Sequence, residues 1–315
     1  MTGHENRADD GCSALHHHPL SPTLYLLLSY HHLHPNAAFP GSAIPSTSKL
    51  DLPSAGDPDD DDDDTNAAGF SLEGTASART NILLGIRMIP KSHDLWREYI
   101  KLELGWVEGL RRRWQVLGVN IEPKSGPDGE VDPDALTGGE GSFGPDGEDA
   151  RKSILSGKLV IHALNSALTA IPATEPRGME FRQDLLVTLR IYPSALRSKC
   201  LDVVYDDLRQ ISSSSSSGAE IETSTKATAR FAVVTKELYD RTYEPERKDE
   251  GGVVLEGADL VDALGRIAKE IRTVAKSGQY GEKWLELSGE WLVQQISQCG
   301  DNADLVSSLL AKPIW

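Results

Sequence analysis

Cysteine is scarce in this chain of 315 residues. Cys12, Cys200 and Cys299 are odd in number, far apart and contain no CxxC pair. That excludes a disulfide framework and predicts a reducing compartment. Long apolar runs are missing as well. The strongest near the N-terminus is Leu24-Tyr25-Leu26-Leu27-Leu28, far short of the ~20 residues that span a bilayer. Without a basic stretch before it or a small-residue cleavage site after it, it does not read as a signal peptide. The expectation is a soluble, intracellular protein with no membrane partner. Apolar residues make up only 39% of the chain, low for a sequence folded throughout. Positive charge is in deficit too. The net charge is −16, and seven aspartates between Asp57 and Asp64 account for part of it, leaving −9 elsewhere. Whole-chain attraction to nucleic acid is therefore not expected, and any RNA contact needs a local basic patch. The partner expected of such an acidic chain is another protein.

Catalytic signatures are also lacking. There is no P-loop, no GxSxG and no HExxH. Gly139-Glu140-Gly141-Ser142-Phe143-Gly144 matches GxGxxG but sits in a Pro/Asp-rich stretch with no strand before it, so it lacks the strand-to-helix context of a dinucleotide site. His93 and His162 have no partner at metal-ligand spacing. Cys200 falls on an apolar helical row and reads as a buried structural thiol. Asp206-Asp207 reads as a solvated helix face rather than an acid/base pair. Seven of the nine histidines, among them His16, His17, His18, His31, His32 and His34, lie in the first 75 residues. A low-complexity tail accounts for them better than a built metal site does. No cofactor, metal or catalytic set is expected. An all-α enzyme whose site uses no short motif stays open as a remote third class.

What is present is helical periodicity. Residues 1–75, with their prolines, histidines and acidic run, are expected to be disordered because they bury too little apolar surface to offset chain entropy. From 76 to 315 the pattern predicts helices with disordered insertions at about 119–149, 210–226 and 244–254. Leu83, Ile86 and Ile89 suit a helix closed before Pro90. Ser92 suits the N-cap of a long helix running to about Leu117. Further apolar rows run through Val160–Ile171, Phe181–Tyr192, Leu196–Leu208, Ala227–Tyr243, Leu260–Val274 and Tyr280–Trp291, with a last short one at Leu305, Leu309 and Leu310. Sustained period-2 alternation is lacking, so the folded part is expected to be all-α: an α-solenoid of antiparallel helix pairs.

The most specific stretch is Ala78–Glu103, ARTNILLGIRMIPKSHDLWREYIKLE. A helix closes on Pro90, and the next places Trp96, Tyr99 and Glu103 at i, i+3 and i+7 on one face. The aromatics suit the groove between paired helices. The carboxylate calls for a hydrogen bond or a cation from the adjoining helix, since a buried unpaired charge is costly. Arg111-Arg112-Arg113, ahead of Trp114, is the one concentrated basic feature. Three consecutive residues cover most of a turn and cannot all face one groove. A solvent-facing patch is the plainer reading, and contact with RNA phosphates or an acidic partner the functional one.

These residues resemble the half-a-TPR (HAT) repeat, whose first helix carries Trp, Tyr and Glu at this spacing and whose second ends in proline. Together with GKLVIHALNSALTAIP and MEFRQDLLVTLRIYP further along, the chain is similar to the U3 small nucleolar RNA-associated protein 6 family. The resemblance is strongest over Ala78–Gly118. It implies a HAT/TPR-like α-solenoid acting as a non-enzymatic scaffold of the small-subunit processome in nucleolar pre-18S rRNA processing. It also implies other processome proteins as partners, with U3 small nucleolar RNA or pre-rRNA met through the assembly. Pro90, Trp96, Tyr99 and Glu103 are then structural signature residues. A HAT scaffold of splicing or mRNA 3′-end processing is the alternative. Two departures stand out. Family members begin with a folded helical segment that residues 1–75 do not resemble, and Trp284-x-x-Leu287-x-x-x-Trp291 is at best a degenerate copy of the signature.

Overall fold

The computed structural model describes residues 13–34, 72–116, 122–125, 131–137, 150, 153–214, 222–240 and 257–298. Its main elements are helices α1 (Pro22–Leu33), α2 (Leu72–Met88) and α3 (His93–Val116), strands β1 (Glu122–Ser125) and β2 (Val131–Thr137), and helices α4 (Lys158–Ala170), α5 (Gly178–Ile191), α6 (Arg197–Ser213), α7 (Thr223–Tyr239), α8 (Gly257–Ser277) and α9 (Gly281–Gln298). The architecture is helical, compatible with an α-solenoid. The chain divides into two compact units, Met1–Ala170 and Ile171–Trp315. Periodicity reports each helix's apolar face but not where contacts between helices thin out.

In the first unit, α3 is the central element, packed by α1, α2 and α4. That environment explains why Leu95, Ile100, Leu102, Leu104 and Val107 are all buried although they point to several sides of the helix. On α2 the buried row is Ala78, Ile82 and Ile86, displaced from the expected Leu83–Ile89 row. Leu84 and Met88 are left exposed.

The expectation of disorder throughout residues 1–75 fails at Pro22–Leu33. This helix buries Tyr25, Leu28 and Leu33 against α2. Ser29 Oγ donates to Tyr25 O at 2.7 Å and lies 3.3 Å from Ala78 O. Two glycines admit so close a crossing. A Cβ on Gly85 would lie 2.8 Å from Tyr25 Cγ, and one on Gly74 would lie 1.8 Å from the His32 carbonyl oxygen. The short apolar run, apolar on all sides, carried no helical stripe; its partner face lies about fifty residues downstream. The rest of the histidine-rich and acidic region, 1–12 and 35–71, lies outside the described residues.

The insertion expected to be structureless over 119–149 holds an antiparallel hairpin, pairing Glu122 with Thr137 and Ser125 with Val131, with an irregularity between Pro123 and Ser125. Prolines at 123 and 133 obscured it, since proline argues against a ladder strand except at edges and bulges.

Neighbouring helices run antiparallel, as their paired positions show. Residues 25, 29 and 32 of α1 meet 85, 78 and 74 of α2. In the second unit Arg230 and Glu237 of α7 pair with Glu270 and Arg266 of α8. There α7, α8 and α9 share a core of Val234, Leu264, Ile267, Ile271, Tyr280, Trp284 and Trp291. Tyr280 stacks on Trp284 at 5.5 Å, and Phe231 meets the same indole edge-on at 5.5 Å.

Candidate functional site

Proline 90 ends α2 because it has no N–H to continue the helix. The turn that follows is closed by Ser92, whose Oγ lies 3.4 Å from Leu95 N. Trp96, in the first turn of α3, donates its Nε1–H to the Pro90 carbonyl at 2.8 Å. Tyr99 meets Trp96 edge-on at 6.3 Å. One turn on, Glu103 is fully buried, and its cation is Arg79 of α2. Arg79 Nε donates to Oε1 at 2.6 Å and Nη2 to Oε2 at 2.8 Å, the two-pronged geometry that guanidinium and carboxylate favour. The same guanidinium lies 5.0 Å over the Trp106 ring, a cation–π contact. The hydrogen bond to Glu103 raises the Arg79 pKa. Burial, and then the Glu103 charge, push the Tyr99 phenol up to about 12. Arg79 and Tyr99 both keep their protons near neutral pH, and the cluster clamps two helices.

Arg79 escaped the sequence analysis, yet a signal for it existed. Arg79-x-x-Ile82-Leu83-x-x-Ile86-Arg87-x-x-Pro90 is matched by Arg182-x-x-Leu185-Leu186-x-x-Leu189-Arg190-x-x-Pro193. The matched arginines do the same work. Arg182, 2% exposed, reaches from α5 to Asp207 of α6, with Nε 2.6 Å from Oδ2 and Nη2 3.4 Å from Oδ1. Its Nη1 donates to the carbonyls of Ile171 and Gly178, each at 2.9 Å. In place of Trp96, Arg197 secures the turn, donating from Nε and Nη2 to Tyr192 O at 2.8 and 2.6 Å. Ser194 Oγ accepts from Leu196 N–H at 3.0 Å. The two helix hairpins are thus built alike, each with an arginine–carboxylate clasp at mid-length. Asp207, read from sequence as part of a solvated pair, is a clasp residue; Asp206 pairs with Arg209 on the same helix. In the C-terminal pair the slot of Glu103 is taken by Trp291, which is buried, and Trp284 Nε1 donates to Ile271 O at 3.1 Å.

The three consecutive arginines diverge. Arg111 turns inward, donating from Nη2 to Leu155 O at 2.9 Å and pairing with Glu108 at 3.3 Å. It links α3 to the turn before α4. Arg112 is half-buried and Arg113 exposed, so the triplet presents no three-arginine surface.

In the second unit a cleft of about 250 Å³ opens between α5 and α7, lined by Leu186, Val187, Arg190, Phe231, Tyr239 and, from α9, Leu287 among others. Among the polar groups that line it, Arg190, Thr228 and Thr235 are engaged with neighbouring groups of the fold. Arg190 donates to Asp240 Oδ1 at 3.0 Å and to Tyr205 Oη at 2.7 Å, and Tyr205 donates to the same Asp240 oxygen at 2.8 Å. Burial, the largest influence, raises the Tyr205 pKa. Thr228 and Thr235 bond carbonyls of their own helix.

Cys200 is buried and unbridged. Among the described residues no three of His, Cys, Asp or Glu gather where a metal ion would sit, His16–His18 and His31–His34 included. No helix among them is long and apolar enough to cross a membrane. The GxGxxG match, residues 241–256 and the expected helix at Leu305–Leu310 lie outside the described residues. No protein-family model, no curated protein and no solved structure matches the chain.

Proposed function

We propose that this chain is a non-enzymatic HAT-type scaffold of the small-subunit processome, acting in nucleolar pre-18S rRNA processing. The observation that carries the scaffold reading is the clasped helix hairpin. Trp96, Tyr99, Glu103 and Arg79 are all consumed in holding α2 to α3, and the arginine–proline pattern and its clasp recur in α5–α6. A repeated, internally satisfied hairpin exposes helix faces and leaves no convergent acid, base or nucleophile of its own. The processome assignment rests on the resemblance of Ala78–Gly118 to the U3 small nucleolar RNA-associated protein 6 family. Partners on this reading are processome proteins. RNA contact is secondary, because Arg111 is engaged within the fold and Arg113 is the exposed member of its triplet.

Affinity purification of the tagged chain from cells, with sequencing of the RNA that accompanies it, tests the assignment. Enrichment of U3 RNA and pre-rRNA together with nucleolar localisation is expected. Spliceosomal RNA or cleavage-factor recovery would move the scaffold to mRNA processing, and a diffuse cytoplasmic protein without pre-ribosomal material would overturn the proposal.

A further inference from the structure

In the second unit the cleft between α5 and α7 has apolar walls and one charged end. Leu186, Val187, Phe231, Ala232 and Leu287 form the walls. The hydroxyls of Thr228 and Thr235 are spent on carbonyls of their own helix. Arg190 and Tyr239, near the C-terminal ends of α5 and α7, close one end, with the guanidinium 5.0 Å over the phenol ring. No carboxylate is among the lining residues.

Arg190 is not exhausted by its partners in the fold. Its Nε and Nη2 donate to Asp240 and Tyr205, and its Nη1 makes no hydrogen bond among the described residues. That nitrogen keeps access to solvent, unlike the buried, unpartnered Nε of Arg111. Lys236 Nζ stands 5.6 Å over the ring of Tyr205, the phenol that Arg190 bonds. Two cations thus stand with one carboxylate, Asp240. This end of the cleft is positive on a chain whose net charge is −16.

The apolar surface continues past the cleft. Val187 is 58% exposed, and Ile191, one helical turn on, is 62% exposed. Side chains four residues apart share a face of the helix and lie ~6 Å apart along it. An exposed apolar strip that runs into an open cleft marks an interaction surface. The cleft holds about 250 Å³, below the ~300–1,000 Å³ of sites that enclose a whole small ligand. It suits a side chain from another polypeptide.

We infer that this cleft docks an acidic, amphipathic segment of a partner protein. One large apolar side chain enters between Val187, Phe231 and Leu287, a second rests on Ile191, and a carboxylate meets Arg190 Nη1. Guanidinium and carboxylate make charge-assisted hydrogen bonds, and arginine and tyrosine are among the side chains that carry most of the energy in such contacts. The inference rests on the scaffold reading but not on which assembly the scaffold serves.

Selection of a random peptide library, displayed on phage, against the full-length chain tests it. The enriched peptides are expected to combine two large apolar residues with Asp or Glu. Changing that acid to its amide in a synthetic copy should weaken binding about tenfold, as the loss of one hydrogen bond to a charged group does. Val187→Glu, at an exposed position, should weaken every enriched peptide by about tenfold or more while the melting temperature stays within about 2 °C of the parent. Enriched peptides that are neutral or basic, or that bind Val187→Glu as well as the parent, would overturn the inference, as would a library that yields none. A parent that elutes as a dimer and becomes monomeric with Val187→Glu would assign the face to a second copy and overturn it too. The RNA that purifies with the chain is read separately, so the processome assignment and this site can each fail without the other.

Discussion

Glu103 shows how much one side chain depends on another. Its carboxylate is fully buried, and both oxygens are held by Arg79, whose own side chain is about a quarter exposed. Removing one member of a fully buried pair costs ~3–5 kcal/mol, because the other is stranded without water. Arg79 regains some solvent, so Glu103→Ala is expected to cost about 2–3 kcal/mol in urea denaturation. Arg79→Lys keeps the charge but not the two-pronged geometry, and is expected to recover only part of the stability. A loss below about 0.5 kcal/mol for Glu103→Ala, the range of ordinary surface changes, would mean the clasp is dispensable. The sequence pointed to Glu103 through its place on the Trp96–Tyr99 face, and to a hydrogen bond or a cation from the adjoining helix. It did not single out Arg79 among its neighbours, because the pairing joins residues 24 apart and only the crossing of α2 over α3 sets it.

Among elements, α1 is the one whose place depends most on packing against a distant partner. Gly85→Ala gains ~0.8–1.0 kcal/mol of helix propensity. It also forces a Cβ to within 2.8 Å of the Tyr25 ring, and overpacking of that kind costs ~1–3 kcal/mol. The clash outweighs the gain, so amide exchange in Pro22–Leu33 is expected to speed up while the middle of α3 stays protected. Unchanged exchange in α1 would show that the ring yields without cost. Acid should loosen the same helix. Burial, and then the neighbouring His31, lower the His32 pKa from its ordinary 6.5. A group with a lowered folded pKa gives its full stability above the unfolded value and loses it as pH falls through the folded one. Exchange in α1, corrected for intrinsic rate, should therefore rise as pH drops from 7.5 to 5, and His32→Gln should flatten that dependence. The long helices were legible from their apolar rows and prolines. Helix α1 was not, because its short run is apolar on every side and acquires a core face only from α2.

At the scale of the whole molecule, two units carry one clasp each, Arg79–Glu103 and Arg182–Asp207. The clasps share no partner, and effects at independent sites add to within ~0.5 kcal/mol. Arg79→Met and Arg182→Met are expected to be additive in the double variant, measured by urea denaturation with a probe in each unit. A shortfall beyond about 1 kcal/mol would show that the units fold as one. Such independence suits a scaffold, since each hairpin then presents its faces whatever befalls the other. Composition, helix periodicity and the prolines at 90 and 193 were enough to determine a helical chain, because those are properties of residues close in sequence. The tertiary structure alone decided that α1 belongs to the fold, that Arg111 points inward, that Asp207 is clasped and that the chain forms two units. Each of these turns on groups brought together by packing from distant points in the chain, and local sequence carries no record of that distance.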